Sequence, residues 1–79
     1  MSRLDLHGFT VHDAWKRFST WIQDVQQDDN VKSVTIVTGQ GEIHKELPRW
    51  CGNMDFIRVI QPHFHNGAYE IYFYKRRNK

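Results

Sequence analysis

Residues 31–41, VKSVTIVTGQG, hold the strand-to-loop transition on which the fold turns. Thr35, Ile36, Val37 and Thr38 are all β-branched, so residues 31–38 read as a mostly buried strand. Gly39, Gln40 and Gly41 end that strand, and an apolar pattern over about residues 43–51 predicts a helix directly after it. Pro48 falls inside this helix, which predicts a kink or a restart there. Gly52-Asn53 is a stop signal.

Upstream, Ala14, Phe18, Trp21, Ile22 and Val25 recur at helical spacing, so a first helix runs to about Gln27 and is closed by Asp28-Asp29-Asn30. Thr10 is its expected N-cap, with Asp13 in the first turn. Residues 3–6 form a short strand signal ended by His7-Gly8. Downstream, residues 56–60 and 69–74 (YEIYFY) read as strands, with a turn over 61–67 containing Pro62 and Asn66-Gly67. The order is βαβαββ, which calls for a small sheet with helices packed against it. Parallel pairing of the first two strands would make their helical connection a right-handed crossover.

The chain has 79 residues, enough for one domain with a small core. Its core is expected over about residues 3–75, followed by a basic tail over 75–79. Hydrophobic residues at 39% and aromatics at 14% argue for a folded chain. Most of the aromatic set Trp15, Trp21, Trp50, Phe56, Phe64, Tyr69, Tyr72 and Tyr74 is expected in the core. No apolar run approaches the roughly 20 residues of a membrane span, so no membrane partner is expected. The first thirty residues carry charge throughout and lack the apolar stretch of a secretion signal. Cys51 is the single cysteine, which excludes an internal disulfide framework and a multi-cysteine zinc site. A soluble, cytoplasmic protein is the expectation.

The net charge of +2 is uneven. Without Lys75, Arg76, Arg77 and Lys79, seven bases face nine acids. The body is therefore mildly acidic and the C-terminus is a basic tag. Such a tag either aids solubility or holds the phosphates of a polyanion.

Asp5 and His7 are two apart at the end of strand 1, so they share one face while Leu4 and Leu6 take the other. A carboxylate beside an imidazole can orient it for general acid or base work. The competing reading is a strand-end polar pair that hydrogen-bonds the following turn. Thr38, Gly39, Gln40 and Gly41 lie between a buried strand and a helix, the position of a backbone phosphate cradle at a helix N-terminus or of an ordinary turn. Parallel neighbouring strands would bring that loop and the Asp5/His7 pair to one edge. His63 and His65, with His44 the obvious recruit, make an incomplete metal set, so no metal or other cofactor is expected. Cys51 lacks a base partner and reads as a small core residue. Tyr72 or Tyr74 beside the tail would suit base stacking, or simply face solvent.

Together these motifs resemble the Smr (small MutS-related) domain family. Leu4-Asp5-Leu6-His7-Gly8 with Thr10 and Asp13-Ala14 is similar to the family's opening LDLHG-x-T-x-x-(D/E)-A. The run at residues 38–41 resembles its TGxG loop, Leu47-Pro48-Arg49-Trp50 its VPRWL segment, and Gly67-Ala68 with Ile71 its GA-x-x-V. Two departures stand out. His44 occupies a position where the family usually has Arg or Lys, though Lys45 is adjacent. The glycine-rich element commonly written GGxGA is shortened to Asn66-Gly67-Ala68.

The resemblance implies an α/β fold of two layers, a mixed four-stranded sheet with two helices, similar to the C-terminal domain of bacterial translation initiation factor three. It also implies nuclease or nucleic-acid-binding activity, since family members nick DNA or cleave RNA, some on mRNA in stalled ribosomes. The expected function is an endonuclease acting on RNA rather than DNA. Asp5 and His7 are its expected catalytic pair. Gly8, Thr38, Gly39, Gln40, Gly41, His44, Lys45, Lys75, Arg76 and Arg77 are the expected phosphate or nucleic-acid contacts. Glu42 is the one further acid near the loop. The alternative is a non-catalytic nucleic-acid-binding module or ribosome-associated adaptor.

Overall fold

The computed structural model describes residues 3–39, 41–63 and 67–74. Its elements are β1 (Arg3–Asp5), α1 (Val11–Val25), β2 (Ser33–Val37), α2 (Glu42–Gly52), β3 (Ile57–Pro62) and β4 (Ala68–Phe73). The strands form a mixed sheet in the order β1-β2-β4-β3. β1 runs parallel to β2, with Leu4 opposite Ile36 and Asp5 opposite Val37. β4 is antiparallel to both β2 and β3. The βαβαββ order and the parallel pairing are those expected.

Thr10 caps α1 through its Oγ1, which accepts the Asp13 N–H at 3.2 Å. Ala14, Phe18 and Ile22 then fall on one buried stripe. The helix stops two residues earlier than the pattern suggested, and the Gln27 and Asp28 N–H groups bond the carbonyls of Asp24 and Val25 in tighter turns. β2 alternates: Val34 and Ile36 are buried, while Ser33, Thr35 and Val37 are half-buried. The strand expected to be mostly buried thus buries one face. The inward side chains of β1, β2 and β4, among them Leu4, Val34, Ile36 and Ile71, meet Phe18 and Ile22 of α1 and Leu47 and Cys51 of α2 in one core.

Three further expectations are corrected. α2 does not restart at Pro48 but runs through it as one helix. Pro62, expected in a turn, ends β3, and β3 is an edge strand, where a missing N–H is tolerated. The aromatic residues are less central than expected. Of those named above, Tyr69 alone is fully buried, Trp21, Trp50, Phe56 and Tyr72 are half-buried, and Trp15 and Tyr74 are exposed. Phe64 lies outside the described residues. The buried aromatic anchor of α1 is Phe18, with its ring centroid 5.9 Å from that of Trp50. The limited core of so short a chain leaves large rings partly at the surface. No helix of the described residues is long and apolar enough to cross a membrane.

Candidate functional site

β1 and β2, parallel and adjacent, end side by side, and their following loops enclose an open cleft of about 320 Å³. One wall is residues 7–11 and the other is residues 38, 39 and 41–43. Of the candidate residues, His7, Gly8, Thr38, Gly39 and Gly41 come together at this cleft, and Asp5 is not among its lining residues. Cleft residues outside the candidate set are Phe9, Val11 and Ile43, together with the helix cap Thr10 and with Glu42, named only as a further acid near the loop.

His7 is carried on a tight turn. The Phe9 N–H donates to the Leu6 carbonyl at 3.1 Å, and Gly8 between them has φ +90°. That is the left-handed conformation a type II turn needs at its third residue. The Asp5 Oδ1 accepts the backbone N–H of His7 at 2.9 Å. The carboxylate thus holds the turn that bears His7, the simpler of the two readings of the pair. Both residues are exposed on the face opposite Leu4 and Leu6.

Gly39 is the point of closest approach. A Cβ there would sit 3.2 Å from His7 Cδ2, and its φ is +73°. A side chain there would be strained by the backbone and would press on the His7 ring. The glycine at this position lets the imidazole lie against the loop.

The loop's donors are partly committed. The N–H groups of Thr38 and Gly39 both donate to the Gly67 carbonyl, at 2.8 and 2.9 Å. What the cleft presents to an anion is then the N-terminal turn of α2, which starts at Glu42 after its N-cap Gly41. Glu42 itself complements the helix dipole and adds a negative charge to the cleft wall. Gln40 lies outside the described residues.

Thr38 forms part of the cleft wall although it is largely buried, and His44 sits behind it, outside the lining. Thr38 is buried, and its Oγ1 has the Gly39 carbonyl at 2.8 Å, the Gly67 carbonyl at 3.3 Å and His44 Nδ1 at 2.9 Å. One hydroxyl proton facing two carbonyls is best used on a carbonyl, so the oxygen accepts from His44 Nδ1–H. The His44 ring stacks on Tyr69 with centroids 4.5 Å apart. His44 thereby braces the loop. Lys45 is exposed on the same helix but is outside the cleft lining.

Lys75, Arg76 and Arg77 lie outside the described residues. Tyr74, the last described residue, is at the far end of the sheet, because β4 runs antiparallel to β2 and Phe73 N–H bonds the Lys32 carbonyl. Five residues of strand, about 17 Å, separate that end from the cleft. Tyr72 lies under the Arg58 guanidinium, 5.8 Å from ring centroid to Cζ. Cys51 is buried and its thiol is pushed up to about 12 by burial, which fits an inert core residue.

The family model for the Smr domain matches residues 4–70, a span that holds both helices, β2, β3 and both walls of the cleft and reaches into β1 and β4. The chain belongs to the Smr domain family. Smr domains are nuclease and nucleic-acid-binding modules. The fold agrees with the Smr domain of Thermus thermophilus MutS2, whose crystal structure superposes with a TM-score of 0.80 at 11% identity, covering 92% of this chain and 98% of that one. At that identity the likeness is one of fold. No curated protein matches the chain significantly in sequence.

Proposed function

We propose that this Smr domain is an endonuclease that cleaves RNA rather than DNA. The observation that carries the reading is the placement of the His7 imidazole against Gly39, across an open cleft from the N-terminus of α2. A phosphodiester in that cleft would meet a titratable proton carrier on one side and the positive end of a helix on the other. RNA supplies its own nucleophile. His7 takes the 2′-hydroxyl proton as that oxygen bonds to phosphorus, the P–O5′ bond breaks, and the departing 5′-oxygen takes a proton from water. The product ends are a 2′,3′-cyclic phosphate and a 5′-hydroxyl. Asp5 keeps His7 in position through its backbone. The α2 N-terminus stabilises charge gathering on the phosphoryl oxygens. Lys75, Arg76 and Arg77 are assigned to phosphates of the bound strand.

The test is incubation of the chain with labelled single-stranded RNA and duplex DNA, with and without EDTA. Cleavage of RNA alone, resistant to EDTA and ending in a cyclic phosphate, is the expected result. His7→Ala should slow it by roughly 10²-fold or more. Strict magnesium dependence, or equal cleavage of DNA, overturns the mechanism.

A second reading, a nucleic-acid-binding or ribosome-associated adaptor without catalysis, is favoured by the commitment of the Thr38 and Gly39 N–H groups to Gly67. RNA retained but uncut in the same assay would select it.

A further inference from the structure

We propose that Phe9 is a stacking platform for an unpaired nucleobase beside the cleft, so that the nucleic acid bound here is single-stranded. The inference rests on the nucleic-acid reading of the cleft and adds to it the form of the ligand.

Phe9 precedes the N-cap Thr10, a position where an apolar side chain often packs back onto its helix as a staple. Here the ring is instead 40% exposed. The turn closed by the Phe9 N–H and Gly8 turns the residue out between two hollows. Phe9 lines the cleft that holds His7 and also a second, larger hollow of about 540 Å³ along α1. Among the described residues, Phe9 is the one that lines both.

The second hollow has the chemistry of a base site rather than a phosphate track. Its charged residues cancel, Lys16 and Arg17 against Asp13 and Asp24, so it does not attract a polyanion by net charge. It offers apolar and cationic surfaces instead. Trp21 forms part of the lining, and the Arg17 guanidinium carbon lies 6.0 Å from the Phe9 ring centroid. Aromatic rings and guanidinium planes are the surfaces on which unpaired bases stack. A polynucleotide is the ligand that sets an anionic group and a neutral planar group side by side, one for each hollow. Bases within a duplex are stacked on one another and cannot lie on Phe9 without being flipped out.

The test uses the full chain and three labelled probes: a mixed-sequence 2′-O-methyl RNA single strand, which lacks the attacking hydroxyl, the same strand made abasic, and its duplex. Phe9→Ala should weaken binding of the base-bearing single strand roughly 10-fold or more, the scale of one lost base stack. It should leave the abasic strand and the duplex unchanged. Phe9→Tyr, which keeps an aromatic face, should restore the affinity, and the circular dichroism melting curve of each variant reports folding separately. Equal weakening on all three probes, an unchanged Phe9→Ala, or failure of a folded Phe9→Tyr to restore binding overturns the stacking role while the nucleic-acid reading stands. A wild-type chain that binds none of the probes overturns both.

Discussion

The Tyr69 hydroxyl donates to the His44 carbonyl at 3.1 Å, and that carbonyl is the one Pro48 leaves without its helical partner. In a regular α-helix the N–H of residue 48 would bond the carbonyl of residue 44. Proline has no N–H to give. A side chain from β4 supplies the missing donor, so α2 continues through Pro48. The same tyrosine ring stacks on His44, whose Nδ1 meets Thr38 in the loop that walls the cleft. One β4 residue therefore sustains the helix and braces the loop.

Tyr69→Phe keeps the ring and removes only the donor. It should destabilise the fold by about 1–3 kcal/mol, the cost of a buried polar group left unpaired. In a Pro48→Ala background the N–H of residue 48 can serve the same carbonyl. Urea unfolding of the four proteins of this cycle should therefore show the Tyr69→Phe cost shrinking by at least about 0.5 kcal/mol. Additive costs would mean that the hydroxyl does not stand in for the missing helical bond.

Gly39→Ala places a methyl group 3.2 Å from His7 Cδ2 on a backbone with φ +73°. A loss of stability of about 1–3 kcal/mol is expected from the backbone strain, with displacement of the His7 ring. Gly41→Ala meets no atom within 4 Å and has no positive φ. Its stability should stay within about 0.5 kcal/mol of wild type. Thermal melts together with the His7 imidazole NMR resonances check both; an unmoved resonance in Gly39→Ala would show that the contact does not set the ring.

Asp5 acts on the backbone of His7, and that predicts an order of variants. Asparagine retains a side-chain oxygen to accept the His7 N–H, while alanine does not. Asp5→Asn should fold within about 0.5 kcal/mol of wild type, and Asp5→Ala should lose about 1 kcal/mol. RNA cleavage rates should follow the same order. A much slower Asp5→Asn with unchanged stability would instead return the carboxylate charge to the chemistry.

Glu42 places a negative charge on the wall that would face a phosphate. Glu42→Gln should tighten RNA binding by about twofold to fivefold at low salt, the scale of one exposed charge, with the gain fading as salt rises. Weaker binding would place the carboxylate among the useful contacts.

Most of the fold was legible because each element carries its own period. Ala14, Phe18 and Ile22 mark a helix, the β-branched run over residues 35–38 marks a strand though not that only one of its faces is buried, and parallel pairing of β1 with β2 brings His7 to Gly39. What was illegible depends on partners distant in sequence. Nothing near Pro48 announces the Tyr69 hydroxyl, so the proline read as a kink or a restart. Nothing near Gly39 announces that the Gly67 carbonyl takes two loop N–H groups, so the loop read as either a phosphate cradle or an ordinary turn. Phe9 had a visible signal, a large apolar residue just ahead of an N-cap. That pattern fits a buried staple and an outward ring equally well, and only exposure separates them.

The last prediction concerns alkaline stability. Burial pushes the Cys51 thiol from its ordinary 9.0 up to about 12. Burial and then the neighbouring Cys51 raise the Tyr69 hydroxyl as well. Both groups hold their protons more tightly folded than unfolded. Their contribution to stability is therefore intact below the unfolded pKa and is lost as pH rises through the folded one. For Cys51 that window runs from 9.0 to about 12, with a limiting slope of about 1.4 kcal/mol per pH unit. Urea unfolding at pH 8, 10 and 11 should show stability falling across the series. Cys51→Ala, less stable at pH 8 by about 1 kcal/mol from the small cavity, should fall less steeply by the worth of one proton. Parallel slopes in the two proteins would show that the thiol is not what the core keeps protonated.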